Sequence, residues 1–149
     1  MNKIFLLAIA VLLCGARLFA ATPEQETAFV DAYKTAFEAG DKAKLESFLY
    51  TPGANPMALE FYKTMMLDGA GGKIISIELV NLTAEDAKKA AEVQDGPGGQ
   101  KFKLSLKPSK KLKISVEHKN ENGSSSSSTE SFVAEKDGKL VIPLPSDAK

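Results

Sequence analysis

The apolar residues of this chain change their spacing at one place, a glycine-rich break at Gly69, Gly71 and Gly72, and that change limits the fold more than any other feature. Before the break they recur at three- and four-residue intervals, the period of a helix with one buried stripe. After it they recur largely at every second position, the period of a strand with one covered face. A chain that puts its helices first and its strands afterwards builds an α+β domain, with helices laid on one face of an antiparallel sheet.

The helical part has clear starts and stops. Thr22, Pro23 and Gln25 predict a helix start: a capping threonine, a proline in the first turn, and a glutamine placed to return a bond in a capping box. Phe29, Tyr33 and Phe37 follow with Val30 and Ala36 beside them as one apolar stripe, and Gly40 supplies the left-handed stop. Asp41 caps a second short helix that buries Leu45, Phe48 and Leu49 and ends before Pro52 and Gly53. Asn55 and Pro56 start a third, running to Asp68, whose apolar coverage by Leu59, Phe61, Tyr62, Met65 and Met66 is broad.

Beyond the glycines, Lys73 to Leu82 is a dense β-branched run, as expected of a strand covered on one face and partly on the other. Thr83 to Val93 reads as a short helix or ordered excursion, capped by Thr83 with Glu85 and Asp86 in its first turn, and Asp95 to Gly99 as a loop. Phe102, Leu104 and Leu106 alternate with polar residues. Pro108 and Ser109 turn the chain, and Leu112, Ile114 and Val116 alternate on the way back, which predicts a hairpin of two adjoining strands. Asn120 to Ser128, with five serines, predicts a long mobile loop. Asp137 and Gly138 mark a tight hairpin between Ser131 to Lys136 and Lys139 to Leu144, with Pro143 confining the last strand to an edge or to its own end. The expected architecture is three N-terminal helices packed on a curved four-stranded antiparallel sheet.

This order of elements, with Ala39, Gly40 and Asp41 followed by Lys44, Leu45 and Phe48 between the first two helices, resembles the nuclear transport factor two superfamily with its cystatin-like cone. The resemblance implies a concave sheet partly closed by helices around a pocket. That scaffold serves small-molecule enzymes, ligand carriers and adaptors alike, so it does not choose among them.

The first residues add a location. Met1 to Lys3 is a short positive start, Ile4 to Leu13 is an unbroken run of ten apolar side chains, and Leu18 to Ala21 gives a small-residue exit, the pattern of a secretory signal peptide. Ten residues are too few for a spanning helix, which takes about 20, although an uncleaved anchor is the plain alternative. Cys14 offers a second alternative, a lipidated cysteine, against which Leu13 stands where that pattern wants a small residue. We expect residues 1–20 to be removed and a single domain, 21–149, to be periplasmic or secreted.

Removal of that segment takes Arg17 and Cys14 with it. The remaining 129 residues carry 17 lysines against 19 carboxylates, a net charge of −2, with no Arg, Cys or Trp and a single histidine, His118. These absences exclude a thiol nucleophile, a disulfide scaffold, a thiolate or multi-histidine metal centre, and a guanidinium clamp. No glycine-rich nucleotide loop, triad signature or paired metal carboxylates are present, so neither cofactor nor metal is expected.

Four residues remain as candidates. His118 is the one side chain expected to titrate near neutral pH, and it shares parity with Leu112, Ile114 and Val116, so it is either a pocket base at the inner face or a solvated residue at a strand end. Glu78, among apolar neighbours, is either an acid or base of raised pKa or an exposed residue on an edge position. Tyr33 and Tyr62, on two helices, either face a central cavity or complete the core. From Lys101 to Lys119 seven lysines stand against Glu117 alone, a ribbon that meets an anionic surface or merely keeps the sheet soluble. Nucleic acid is not expected, because arginine and interleaved aromatics are missing.

The chain therefore reads as an exported, non-catalytic binding domain for a small apolar ligand or an envelope protein, with Tyr33, Tyr62 and His118 as ligand contacts and a homodimer left open. Two alternatives stand beside it: a hydratase- or isomerase-type pocket enzyme using His118 with Glu78 or a tyrosine, and an envelope-surface adaptor using the lysine-rich sheet.

Overall fold

Four helices begin where a short polar side chain satisfies the free N–H groups of the first turn. A computed structural model describes residues 20–121 and 123–148. Residues 1–19, which include Cys14 and all of the expected export segment except Ala20, lie outside the described residues. In α1 (Pro23–Glu38) Thr22 and Gln25 form the expected capping box, in α2 (Lys42–Glu46) the Asp41 carboxylate accepts from Lys44 N, and in α3 (Pro56–Leu67) Asn55 accepts from Met57 N and Ala58 N. The segment after Thr83 is a fourth helix, α4 (Ala84–Ala91), with a second capping box between Thr83 and Asp86.

The fold is α+β, but its sheet departs from expectation. Strands β1 (Leu49–Tyr50), β2 (Lys73–Asn81), β5 (Lys110–Asn120), β6 (Gly123–Lys136) and β7 (Lys139–Pro143) form a five-stranded sheet in the order β1-β7-β6-β5-β2. It is mixed, because β1 runs parallel to β7. A separate three-stranded sheet joins β3 (Gln94–Asp95), β4 (Lys101–Leu104) and β8 (Pro145–Asp147). A 3-10 turn, Pro97–Gly99, occupies much of the expected 95–99 loop.

Two expectations are corrected here. The alternating segment 101–107 does not pair with 110–117: β4 pairs with β3 and β8, while β5 pairs with β2. Alternation says which face a residue takes and is silent about which strand lies alongside. Nor is 120–128 a long loop. Ser124 to Ser128 are strand residues of β6, paired in register with Lys119 to Ser115 of β5. Hydroxyl contacts across the pair compensate for the poor strand preference of serine: Ser115 Oγ lies 2.8 Å from Ser128 Oγ, and Ser124 Oγ donates to Glu117 Oε1 at 3.0 Å. The Asp137–Gly138 hairpin is present, with φ of 51° and 74° at its two turn residues, and Pro143 closes β7.

The core lies between α1 and the main sheet. Phe29 and Tyr33 of α1 meet Phe48, with Phe29 and Phe48 edge to face at 5.3 Å between ring centroids and Tyr33 and Phe48 tilted at the same distance, while Phe37 stacks on Tyr33 at 6.4 Å. Below them Leu112, Ile114 and Val116 of β5 are buried, as their alternation requires, with Ile74 of β2 and Val133 of β6. Leu45 and Leu112 are fully buried. The small sheet hangs from this body through Ser105 N to Leu144 O and Asn55 N to Pro145 O, both 2.9 Å, and through Asn55 Nδ2 to Asp147 Oδ1 at 2.8 Å. Among the described residues no helix is long and apolar enough to cross a membrane.

Candidate functional site

Helix α3 has apolar residues on more of its circumference than one packing face can cover, and two concavities result. On its inner side Tyr62, Met65 and Met66 face Tyr33 and Phe37 of α1, Ile114 and Val116 of β5, and Ser127, Thr129 and Ser131 of β6, around a cleft of about 70 Å³. Tyr33 and Tyr62 are thus brought to one cleft, as the two stripes allowed. That volume holds a few waters rather than a ligand. Burial raises both phenols, Tyr33 to about 12, so both stay neutral donors at any physiological pH.

On its outer side Met57, Ala58 and Phe61 face Gly96, Phe102 and Pro145 of the small sheet across a groove of about 410 Å³, with Gln94 and Asp95 at its polar rim and Tyr62 as the wall shared with the inner cleft. Phe61 is 63% exposed and Met57 53%, so the broad apolar coverage of α3 includes a side that the core does not take up. Gly96 is required here, because a Cβ would run into the Phe102 ring. The ring can therefore approach the backbone closely as the groove wall. Asp95 at this rim pairs through Oδ1 with Lys101 at 2.6 Å.

His118 lies apart from this groove. It is half-buried at the end of β5, with its Nε2 2.7 Å from Ser127 Oγ and its ring against Gly69. A base and a hydroxyl at that separation have the spacing of a nucleophile pair. Among the described residues its side-chain partner is this serine, and no carboxylate orients the ring. Glu78 is exposed on β2, the edge strand, opposite Lys113 of β5, which pairs in turn with Glu130 of β6. This row alternates with the cleft residues Ile114 and Thr129 and so lies on the other face of the sheet. The pairing of His118 with Glu78 is not brought together at β5, where their cross-strand partners are Ser125 and Lys113. Among the described residues no three His, Cys, Asp or Glu side chains gather in a metal-holding arrangement.

The lysine ribbon is also rearranged. Because β4 and β5 are in different sheets, its lysines do not form one strip. Lys110 pairs with Glu26 at 2.8 Å, and Lys111 is held between Asp86 at 2.9 Å and Glu130 at 3.0 Å. Asp86, 9% exposed, is lowered to about 2, first by the Lys111 hydrogen bond and then by the Thr83 backbone and hydroxyl. The residues missed by sequence reasoning are Met57, Phe102, Gly96 and Pro145. Their one sequence signal is that Met57 and Phe61 stand four apart on α3, off the face of Leu59, Tyr62 and Met66.

The structure thus defines the class as a small α+β domain with exposed apolar concavities. Comparison of the chain with protein-family models, characterised proteins and solved structures finds no match.

Proposed function

We propose that the protein is an exported, periplasmic or secreted binding domain of cystatin-like form that takes a small neutral apolar ligand without catalysis. The observation that carries this reading is the outer α3 groove. An exposed Phe61 and Met57 beside Phe102 and Pro145 form a single apolar concavity of about 410 Å³, within the usual size of small-molecule sites. An exposed phenylalanine in such a setting costs hydration free energy in the free protein that a ligand recovers. The inner cleft, the pocket expected of a cone, contributes through Tyr62 as the shared wall and not as the main volume.

Nile red, a neutral solvatochromic dye, tests this directly. We expect saturable one-to-one binding with a blue-shifted emission, weakened about tenfold or more in Phe61→Ser, since an aromatic side chain brings roughly 1.5–3 kcal/mol on burial. Non-saturable partitioning, or equal binding by Phe61→Ser, would remove the groove from the proposal.

A further inference from the structure

Of the seven lysines between residues 101 and 119, five lie within 4 Å of a carboxylate: Lys101, Lys110, Lys111, Lys113 and Lys119. Among the described residues Lys103 and Lys107 have no such partner, and both line the same concavity. It is a second groove, of about 300 Å³, between α4 and the 103–108 segment. Its floor is apolar: Leu82, Leu104, Leu106 and Pro108 on one side, Ala87, Ala90 and Ala91 on the other. The three alanines stand at helical spacing on one face of α4, and their short side chains leave the groove open.

Charge and shape therefore point to one kind of occupant. A neutral ligand would use the floor but gain nothing from the two exposed ammonium groups beside it, and a small inorganic anion would leave the alanine and leucine floor in water. We propose that this groove binds a free single-chain carboxylate, with the acyl chain along the α4 alanines and the carboxylate between Lys103 and Lys107. Exposed ion pairs contribute modestly and fade with salt, whereas each buried methylene contributes about fourfold in affinity. Binding is accordingly dominated by chain length and tuned by the lysines. The site is distinct from the α3 groove and does not depend on it.

Decanoate, below its micellar range and at low salt, is the probe for calorimetry on the full domain, with octanoate and decanol as comparisons. We expect decanoate to bind one to one, octanoate about 16-fold more weakly, and decanol about tenfold more weakly. The Lys103→Gln, Lys107→Gln double variant should lose about tenfold for decanoate and little for decanol. Ala87→Phe, at an exposed helix position, should block the groove with the fold intact by circular dichroism. Absence of decanoate binding, equal affinity for decanol, or an unchanged double variant would each overturn the proposal. So would loss of decanoate binding in Phe61→Ser alone, which would move the ligand to the α3 groove. Capture by phosphatidylglycerol vesicles that depends on the same lysines, without binding of free decanoate, would replace a fatty-acid site by a membrane surface.

Discussion

Substitution of Gly69 by alanine probes the junction where α3 hands over to the sheet. Gly69 has φ of +76°, and a Cβ there would lie 3.1 Å from His118 Cε1, 3.7 Å from Phe37 and 3.8 Å from Val116. Two costs follow. An L-residue in the left-handed region costs about 1–2 kcal/mol. The 3.1 Å approach is inside the roughly 3.5–4.0 Å of ordinary carbon contact, so the imidazole must move and loosen its 2.7 Å contact with Ser127, an exposed hydrogen bond worth about 0.5 kcal/mol. Gly69→Ala should therefore destabilise by about 2 kcal/mol, a fall in Tm of about 8 °C for a domain of this size. In a His118→Ala background only the backbone cost remains, so the same substitution should cost about 0.5–1 kcal/mol less. Urea unfolding of the four proteins of this cycle, followed by circular dichroism, gives the coupling directly. A neutral Gly69→Ala, or an identical cost in both backgrounds, would refute the placement of His118 over the glycine.

Three further outcomes are expected. Leu112→Ala, at a fully buried position between α1 and the sheet, should cost about 2–5 kcal/mol in urea unfolding. Asp86 is lowered to about 2 in the fold against about 3.9 unfolded, so its stabilisation is complete above about pH 4 and is lost as pH falls through about 2. Asp86→Asn should flatten the pH dependence of stability in that window, and an unchanged acid limb would contradict the Lys111 contact. Tyr33, raised to about 12, should ionise late in an alkaline titration at 295 nm, and its contribution to stability should persist to about pH 10 and vanish as pH rises through about 12. Tyr33→Phe should remove its share of the late absorbance rise and leave that of Tyr62, which burial also raises.

What could be read from the sequence was local. Thr22 with Gln25, Asp41, Asn55 with Pro56 and Thr83 each satisfy amides within three residues of themselves, so the four helix starts follow from short-range chemistry alone. The Asp137–Gly138 turn and the inward parity of Leu112, Ile114 and Val116 are legible for the same reason. Strand partnership is a different matter. Phe102 and Leu104 announce a strand, yet β4 finds its neighbours in β3 and β8, the latter some 40 residues on. The serine run reads as loop because serine packs little, and it becomes strand only because β5 offers it a continuous partner. A parallel strand of two residues, β1, leaves almost no pattern to read. The site follows the same division: the convergence of Tyr33 and Tyr62 was foreseeable from two helical stripes, whereas the exposure of Phe61 depends on where the small sheet docks, and that is set by Asn55, Leu144 and Pro145.

The proposed binding role of the outer groove is tested most directly through its methionines. Of the four in the chain, Met57 lines the outer groove while Met65 and Met66 line the inner cleft. In a protein labelled at methionine methyl carbons and titrated with Nile red, we expect the Met57 resonance to move to saturation while Met65 and Met66 stay in place. Movement of Met65 and Met66 with Met57 unchanged would show that the ligand opens the inner cleft instead, and would contradict the assignment of the outer groove as the binding site.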